Sequence, residues 1–221
     1  MKKALMALAF APAVFAEGEE AVKQYDFYFG IGPSYHFAEN KIESKFGTDG
    51  QTVFDRKKKS SKFGGSVFFG GMYFFDDFGL GLELGYDLAK DKSFDSKLDD
   101  TRSMTTKVRG CNPWLVAQLA YRCNEFIPAL RLGMKHVAAE VWATESGASA
   151  VEGKTKLSKL VFTLGAGLRY NLCGRWGVEG AYDYAFRAKK DREFFGLQNN
   201  KMVVTQKLTG HNVRLAVTYS F

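Results

Sequence analysis

Apolar and polar residues alternate along eight segments of the chain, and the last segment shows the pattern most clearly. Val213, Leu215, Val217, Tyr219 and Phe221 are apolar, and polar or small residues stand between them. Successive side chains of a β-strand point to opposite faces, so a period of two indicates a strand with one apolar face. The eight segments lie near residues 25–37, 63–75, 79–89, 115–121, 128–134, 160–170, 176–186 and 213–221.

The connections between these segments alternate in length. Short connections lie at 76–79, 122–126 and 171–175, whereas the others are hydrophilic and cover roughly residues 38–62, 89–107, 141–159 and 187–207. Short turns on one side and long loops on the other are typical of a transmembrane barrel, with the turns in the periplasm. The sequence therefore predicts an all-β fold: an eight-stranded antiparallel up-and-down barrel with four long extracellular loops.

The first residues predict export. Lys2 and Lys3 precede an apolar stretch, Ala4–Phe15, which ends at a cleavage pattern of small residues, Val14–Ala16. We expect a signal peptide over residues 1–16 and a barrel domain over 17–221. No later apolar run reaches the roughly 18 residues that a helical span requires, so this chain can cross a bilayer only as a closed barrel. The predicted location is the outer membrane of a Gram-negative bacterium.

The content of the polar face decides between lipid outside and a soluble, lipocalin-like barrel. That face is rich in glycine, serine and alanine, which make a poor solvated exterior but fit a narrow interior. Its charged residues nearly balance, so we expect them to pair and to plug the lumen, because an unpaired buried charge is costly. The predicted lumen charge network comprises Asp26, Glu83, Asp87, Arg131, Lys135, Arg169, Glu179, Asp183 and Arg214.

Two segments resemble a known family. Gly70–Tyr86 is similar to a strand-turn-strand unit of small opacity-type and OmpA-like outer-membrane proteins, and Trp176–Tyr184 is similar to their penultimate strand. The resemblance implies an eight-stranded barrel of the OmpX/Ail-like, porin-family or surface-antigen type. It also implies that Tyr219 and Phe221 form the terminal signal read by the barrel assembly machinery.

The long loops are basic. Their formal charges are about +3, +1, +1 and +4. The net charge of the whole chain is +7. We expect such loops to contact outer-membrane lipid, lipopolysaccharide phosphates or host polymers, and no nucleic acid, since they face the cell exterior. The candidate anion-binding residues are Arg56, Lys57, Lys58, Lys59, Lys189, Lys190 and Arg192.

These observations favour a monomeric surface protein with a structural or adhesin-like role, without catalysis, cofactor or metal. A small porin is the alternative, and a lipid A-modifying enzyme is a further one because His36, His136 and His211 fall in the outer halves of their strands. No serine or aspartate stands at a diagnostic spacing from them. Cys123 and Cys173 fall in turns on the same side, where they form either a disulfide or, with Cys111, three separate thiols.

Overall fold

The computed structural model describes residues 24–46, 51–97, 102–145, 153–172, 174–195 and 201–221. The predicted signal peptide lies outside these residues. Among the described residues, no helix has the length and hydrophobicity needed to cross a bilayer. The strands are β1 (Tyr25–Phe46), β2 (Gln51–Phe75), β3 (Phe78–Ala89), β4 (Lys92–Lys97), β5 (Arg102–Val108), β6 (Asn112–Tyr121), β7 (Phe126–Glu145), β8 (Gly153–Asn171), β9 (Trp176–Phe195) and β10 (Lys201–Ser220).

Eight of these strands form a closed antiparallel barrel. Neighbours pair in the order β1, β2, β3, β6, β7, β8, β9 and β10, and β10 pairs back to β1. The predicted eight-stranded barrel is therefore confirmed. The remaining two strands, β4 and β5, form a hairpin between β3 and β6, and β5 pairs with the outer part of β7.

The three described turns on the periplasmic side are tight. Each contains one residue in the left-handed region of backbone space, with φ of 52° at Asp76, 54° at Asn124 and 59° at Gly174. Asp, Asn and Gly are the residues that tolerate this conformation best. The predicted short turns are therefore present, with the residue types that the geometry requires.

The long connections differ from the expectation, because they consist largely of strand. β1 continues to Phe46 and β2 begins at Gln51, and these outer parts stay paired as far as Phe46 and Gln51. β9 and β10 extend in the same way, as far as Phe195 and Lys201. Continuous ladders satisfy backbone groups that irregular loops would leave to water. The alternation of these segments is weaker than in the membrane, which is why it does not indicate strands.

The strands separate into two sheets beyond the membrane. One sheet contains the outer parts of β2, β1, β10 and β9, and the other contains β4, β5 and the outer parts of β7 and β8. The ladder between β8 and β9 ends at Thr163 and Ala185, and that between β2 and β3 ends at Gly64 and Ala89. We call these two gaps the β8/β9 seam and the β2/β4 seam, and the paired sheets the extracellular extension.

Lysine side chains bridge both seams. Lys159 Nζ donates to the Lys189 carbonyl oxygen at 2.5 Å across the β8/β9 seam. Across the β2/β4 seam, Lys62 Nζ donates to the Asp91 carbonyl oxygen at 2.5 Å, and Lys58 donates to the Asp95 carbonyl oxygen. The extension is thus joined by side-chain bonds where strand pairing stops.

The direction of apolar side chains reverses between the membrane and the extension. In the barrel wall, Leu82, Leu84 and Leu132 point outward and are more than half exposed. In the extension the apolar side chains point inward and form one core: Phe94, Val108, Ala139, Leu157, Val161, Ala188 and Leu208. Lipid surrounds the first region and water the second, so each buries its apolar groups away from water.

Rings of aromatic side chains mark the two edges of the apolar wall. The turn-side ring includes close pairs such as Trp176 with Tyr219 and Phe126 with Tyr170, at 5.0 and 4.7 Å between ring centroids. The outer aromatic ring comprises Tyr35, Phe37, Phe63, Tyr184 and Phe186. Aromatic girdles of this kind sit at membrane interfaces.

Interior glycines make room for rings that cross the lumen. A Cβ at Gly85 would lie 2.1 Å from Trp114, and one at Gly30 would lie 2.1 Å from Phe68. The small residues of the inward face are therefore a packing requirement of a narrow barrel filled by large side chains.

Candidate functional site

Two arginines and two glutamates form the centre of the lumen. Arg214 Nη2 lies 2.7 Å from Glu83 Oε1 and 2.5 Å from Glu179 Oε1. Arg131 Nη2 lies 2.9 Å from Glu83 Oε1, and its Nε lies 2.9 Å from Asp183 Oδ1. These groups are almost completely buried, so their charges are compensated by one another and not by solvent.

The remaining members of the lumen charge network pair above and below this centre. Arg169 Nη2 lies 2.6 Å from Asp26 Oδ2 toward the turn side. Lys135 Nζ lies 2.5 Å from Asp87 Oδ2 toward the outer side. All nine residues singled out from the sequence thus face the lumen, and each has a partner of opposite charge from the same set.

Several lumen residues escaped the sequence analysis because they carry no charge. Tyr28 Oη and Gln118 Nε2 donate to Glu83 Oε2 at 3.0 and 2.9 Å. The guanidinium carbon of Arg214 lies 3.8 Å from the centroid of the Phe68 ring. A ring face accommodates a cation, which fits with Nε and Nη1 of Arg214 lacking hydrogen-bond partners among the described residues. The alternation in the sequence predicts that Tyr28, Gln118 and Phe68 face inward, but it does not predict which residues they contact.

Apolar clusters close the network at both ends. Met72, Phe74, Ala120 and Ile127 pack together beneath it on the turn side. The inward core of the extension lies above it. The lumen is therefore filled by an apolar floor, a charged middle and an apolar roof.

Each of the three histidines forms a hydrogen bond with a hydroxyl group. A hydrolase with a hydroxyl nucleophile requires such a bond between the nucleophile and its base. Ser34 Oγ lies 2.7 Å from His36 Nε2, and His36 Nδ1 lies 4.0 Å from Asp87 Oδ2. The distance between His36 and Asp87 is longer than a hydrogen bond. Ser34 is buried, so its hydroxyl group is not exposed to a substrate. His136 and His211 bond to Ser158 and Tyr182 on the outer surface.

The candidate anion-binding residues separate into three groups. Lys57, Lys59 and Lys189 lie exposed on the extension, where Lys57 pairs with Glu39 and Lys189 with Asp191. Lys58 instead lies on the inward face and bridges the β2/β4 seam. The side chains of Arg56, Lys190 and Arg192 lie outside the described part of the structure.

Ion pairs of the extension lie closer to solvent than those at the centre of the lumen. Glu43 accepts hydrogen bonds from Lys207, at 2.7 Å, and approaches Lys41 Nζ at 2.8 Å. The bonds from these two ammonium groups lower the pKa of the Glu43 carboxyl to about 2. A hydrogen bond from Thr205 and then Lys189 likewise lower the pKa of Asp191.

The other predicted features can be located as follows. The side chains of Tyr219 and Phe221 lie edge to face in the turn-side aromatic ring, with their ring centroids 5.5 Å apart. Their role as an assembly signal stays a prediction. Cys111 and Cys123 are free thiols, and Cys173 lies outside the described residues. No group of three or more metal-ligating side chains occurs within the described ranges.

Several solved structures of outer-membrane proteins match this chain at low sequence identity. OprG of Pseudomonas aeruginosa matches with a TM-score of 0.55 at 16% identity, over 89% of this chain and 95% of that chain. Ail of Yersinia pestis, in complex with the heparin analogue sucrose octasulfate, matches at 17% identity, over 82% and 99%, with a TM-score of 0.34. Neisserial surface protein A matches at 11% identity, over 84% and 98%, with a TM-score of 0.29.

The family comparison covers nearly the whole chain. No curated protein matches it significantly. The family model described as outer membrane protein beta-barrel domain matches residues 4–221. The closed barrel, its apolar wall and its two aromatic rings agree with that description, and they place the protein in the outer membrane of a Gram-negative bacterium. The chain belongs to the outer-membrane β-barrel domain family.

Proposed function

We propose that this protein is a non-catalytic surface protein whose extracellular extension binds the phosphate groups of lipopolysaccharide, while its lumen stays plugged. The filled lumen is the observation that carries the proposal. Because paired charges and apolar clusters occupy the interior, we expect the chemistry available to partners to lie on the outer surface of the extension.

The outer surface offers cations at the height of lipid headgroups. Lys59 stands four residues beyond Phe63 of the outer aromatic ring, which corresponds to about 13 Å along a strand. Arg187 directly follows Phe186 of the same ring, and both cations are exposed. Neither has a carboxylate partner among the described residues, so both are available for charge-assisted bonds to phosphate.

The charge of the extension supports the same ligand class. Lys57 and Lys189 are each balanced by one carboxylate, at 2.9 and 3.2 Å. These exposed pairs are weak, and a multivalent polyanion can compete for their cations. A small porin remains the alternative and would conduct ions in a planar bilayer, which the paired lumen charges disfavour.

Charge reversal tests the proposal. The double variant Lys59→Glu, Arg187→Glu is compared with Arg175→Glu, which changes the charge of an exposed residue on the periplasmic turn. We expect the double variant to bind purified lipopolysaccharide several-fold more weakly in detergent micelles, the control to bind like the wild type, and added salt to weaken binding. Unchanged binding by the double variant, or equal binding of dephosphorylated lipopolysaccharide, would contradict it.

A further inference from the structure

A chamber lies between the lumen charge network and the apolar core of the extension. Its volume is about 90 Å³. The lower lining includes His36, Asp87 and Lys135, and the upper lining includes Val108 and Leu208. Other polar residues of the lining include Lys92, Asn112, Asp183 and Asn212, as well as Arg109, which pairs with Glu140 at 3.7 Å. The chamber is separate from the exposed cations of the proposed lipopolysaccharide surface.

Lys92 carries a buried charge without an ion-pair partner among the described residues. Its side chain is 4% exposed, and its Nζ donates one hydrogen bond, of 2.9 Å, to the His36 carbonyl oxygen. Among the described residues, no carboxylate lies within ion-pair distance of this ammonium group. Burial, and then the nearby charges of Lys135 and Lys62, lower the pKa of Lys92 to about 8. A buried cation without a counter-charge is costly to the fold.

The two carboxylates of the lining are already engaged. Asp87 accepts from Lys135 at 2.5 Å, from Ser66 at 3.0 Å and from Trp114 at 3.2 Å. Asp183 pairs with Arg131 at 2.9 Å. Lys92 therefore leaves the chamber with an excess positive charge.

Two amide oxygens of the lining need hydrogen-bond donors. Asn112 Oδ1 and Asn212 Oδ1 are buried and have no partner among the described residues. Asn112 lies opposite Asp87 in the ladder of β3 and β6, and Asn212 lies opposite His36 in the ladder of β1 and β10. Both residues line the same chamber as Lys92, and Asn212 is the ladder partner of His36, whose carbonyl oxygen accepts from Lys92.

We propose that this chamber binds one inorganic dihydrogen phosphate ion, whose oxygens accept a hydrogen bond from Lys92 and whose two hydroxyl groups donate to Asn112 Oδ1 and Asn212 Oδ1. Water would satisfy the amide oxygens but would not balance the charge. Sulfate carries two negative charges against the one of Lys92 and has no hydrogen to donate. The volume admits a small tetrahedral oxyanion, since one water needs only ~10–15 Å³ on the same measure.

The β8/β9 seam provides the access route. Thr163 and Ala185, where the ladder between the two strands ends, both line the chamber. Above them, the bond from Lys159 to the Lys189 carbonyl oxygen is the described link across the gap. An ion can enter from outside through this gap without crossing the apolar floor.

Calorimetric titration of the mature protein in detergent micelles tests the proposal, with phosphate and sulfate compared at equal ionic strength. We expect saturable 1:1 binding of phosphate, and weaker binding of sulfate. Lys92→Met should weaken phosphate binding about tenfold to a hundredfold, as the loss of one charge-assisted hydrogen bond predicts. Arg175→Met, which removes an exposed charge on the periplasmic turn, should leave it unchanged.

A second variant separates the two recognition elements. Asn212→Leu should reduce the preference for phosphate over sulfate, whereas Lys92→Met should weaken both anions. The mobility shift on heating verifies that each variant is folded. Absence of saturable phosphate binding, equal affinity for the two anions, or wild-type affinity in the Lys92→Met variant would overturn the proposal.

Discussion

Below the outer aromatic ring, β7 and β8 turn leucine side chains toward lipid, and above it the same two strands turn their apolar side chains inward. Leu160 is 68% exposed at the edge of the apolar wall, whereas Leu157, three residues away on β8, is 1% exposed in the core of the extension. The interiors of the two regions also differ. The membrane region encloses ion pairs, whereas the extension encloses apolar groups. The surrounding solvent decides which face of a strand is apolar.

We expect the largest difference between the two regions in the free energy of unfolding that is lost when an ion pair is broken. Replacing Glu83 by Gln leaves Arg131 and Arg214 without their shared carboxylate in a buried site, which is expected to cost about 3–5 kcal/mol. Replacing Glu39 by Gln breaks the exposed pair with Lys57 and should cost less than about 1 kcal/mol. Unfolding by denaturant in micelles measures both. Equal losses would show that the lumen network is solvated.

A substitution in the apolar core of the extension should have the next largest effect on stability. Leu157→Ala creates a cavity among Phe94, Val161 and Leu208, with an expected loss of about 2–5 kcal/mol in the stability of the extension. The membrane barrel should still show its heat-dependent mobility shift, because its contacts are unchanged. Limited proteolysis reports the loosened extension, and Leu160→Ala is the matched control. A lost mobility shift would mean that the two regions unfold together.

Packing in the membrane lumen should tolerate less added volume than the lipid-facing wall. Gly85→Ala places a methyl group 2.1 Å from Trp114 and should destabilise the barrel by about 1–3 kcal/mol. Gly180→Ala adds a methyl group where no atom lies within 4 Å, so it should have little effect. Thermal unfolding followed by gel mobility compares the two variants. Equal melting temperatures would contradict the close packing.

The smallest effect is expected from acid. The pKa of Glu43 is lowered to about 2 in the folded extension, so its pairs with Lys41 and Lys207 stabilise above the ordinary carboxyl pKa and are lost as the pH falls through about 2. Glu43→Gln should remove this dependence in the extension alone. NMR titration of the carboxyl group measures it, and an ordinary titration midpoint would show that the pairs are not formed in solution.

Alternation in the sequence predicts faces well and partners poorly. It places Glu83, Arg131 and Arg214 on the inward face, because each occupies the polar position of a period of two. Their contacts join residues 48 and 131 positions apart, and alternation carries no information about height along the barrel axis. Lys92 was beyond prediction for another reason, since its position depends on the β4–β5 hairpin folding over the lumen.

The extension could have been recognised from a subtler signal. Phe94 and Leu157 lie in segments that the sequence pattern predicts to be hydrophilic loops, because outward charges dominate their composition, and Leu208 directly follows another such segment. Their apolar positions keep the period of two but on the opposite face. The pairing of Ser34 with His36 was also accessible, since residues two apart on a strand share a face.

The floor of the lumen gives the molecule a direction. Met72, Phe74 and Ile127 separate the interior from the periplasm, whereas the gap beside Thr163 opens toward the medium. Water and ions inside the barrel therefore exchange with the surroundings of the cell and not with its own pools. The ion composition inside the barrel thus follows that of the external medium and not that of the periplasm.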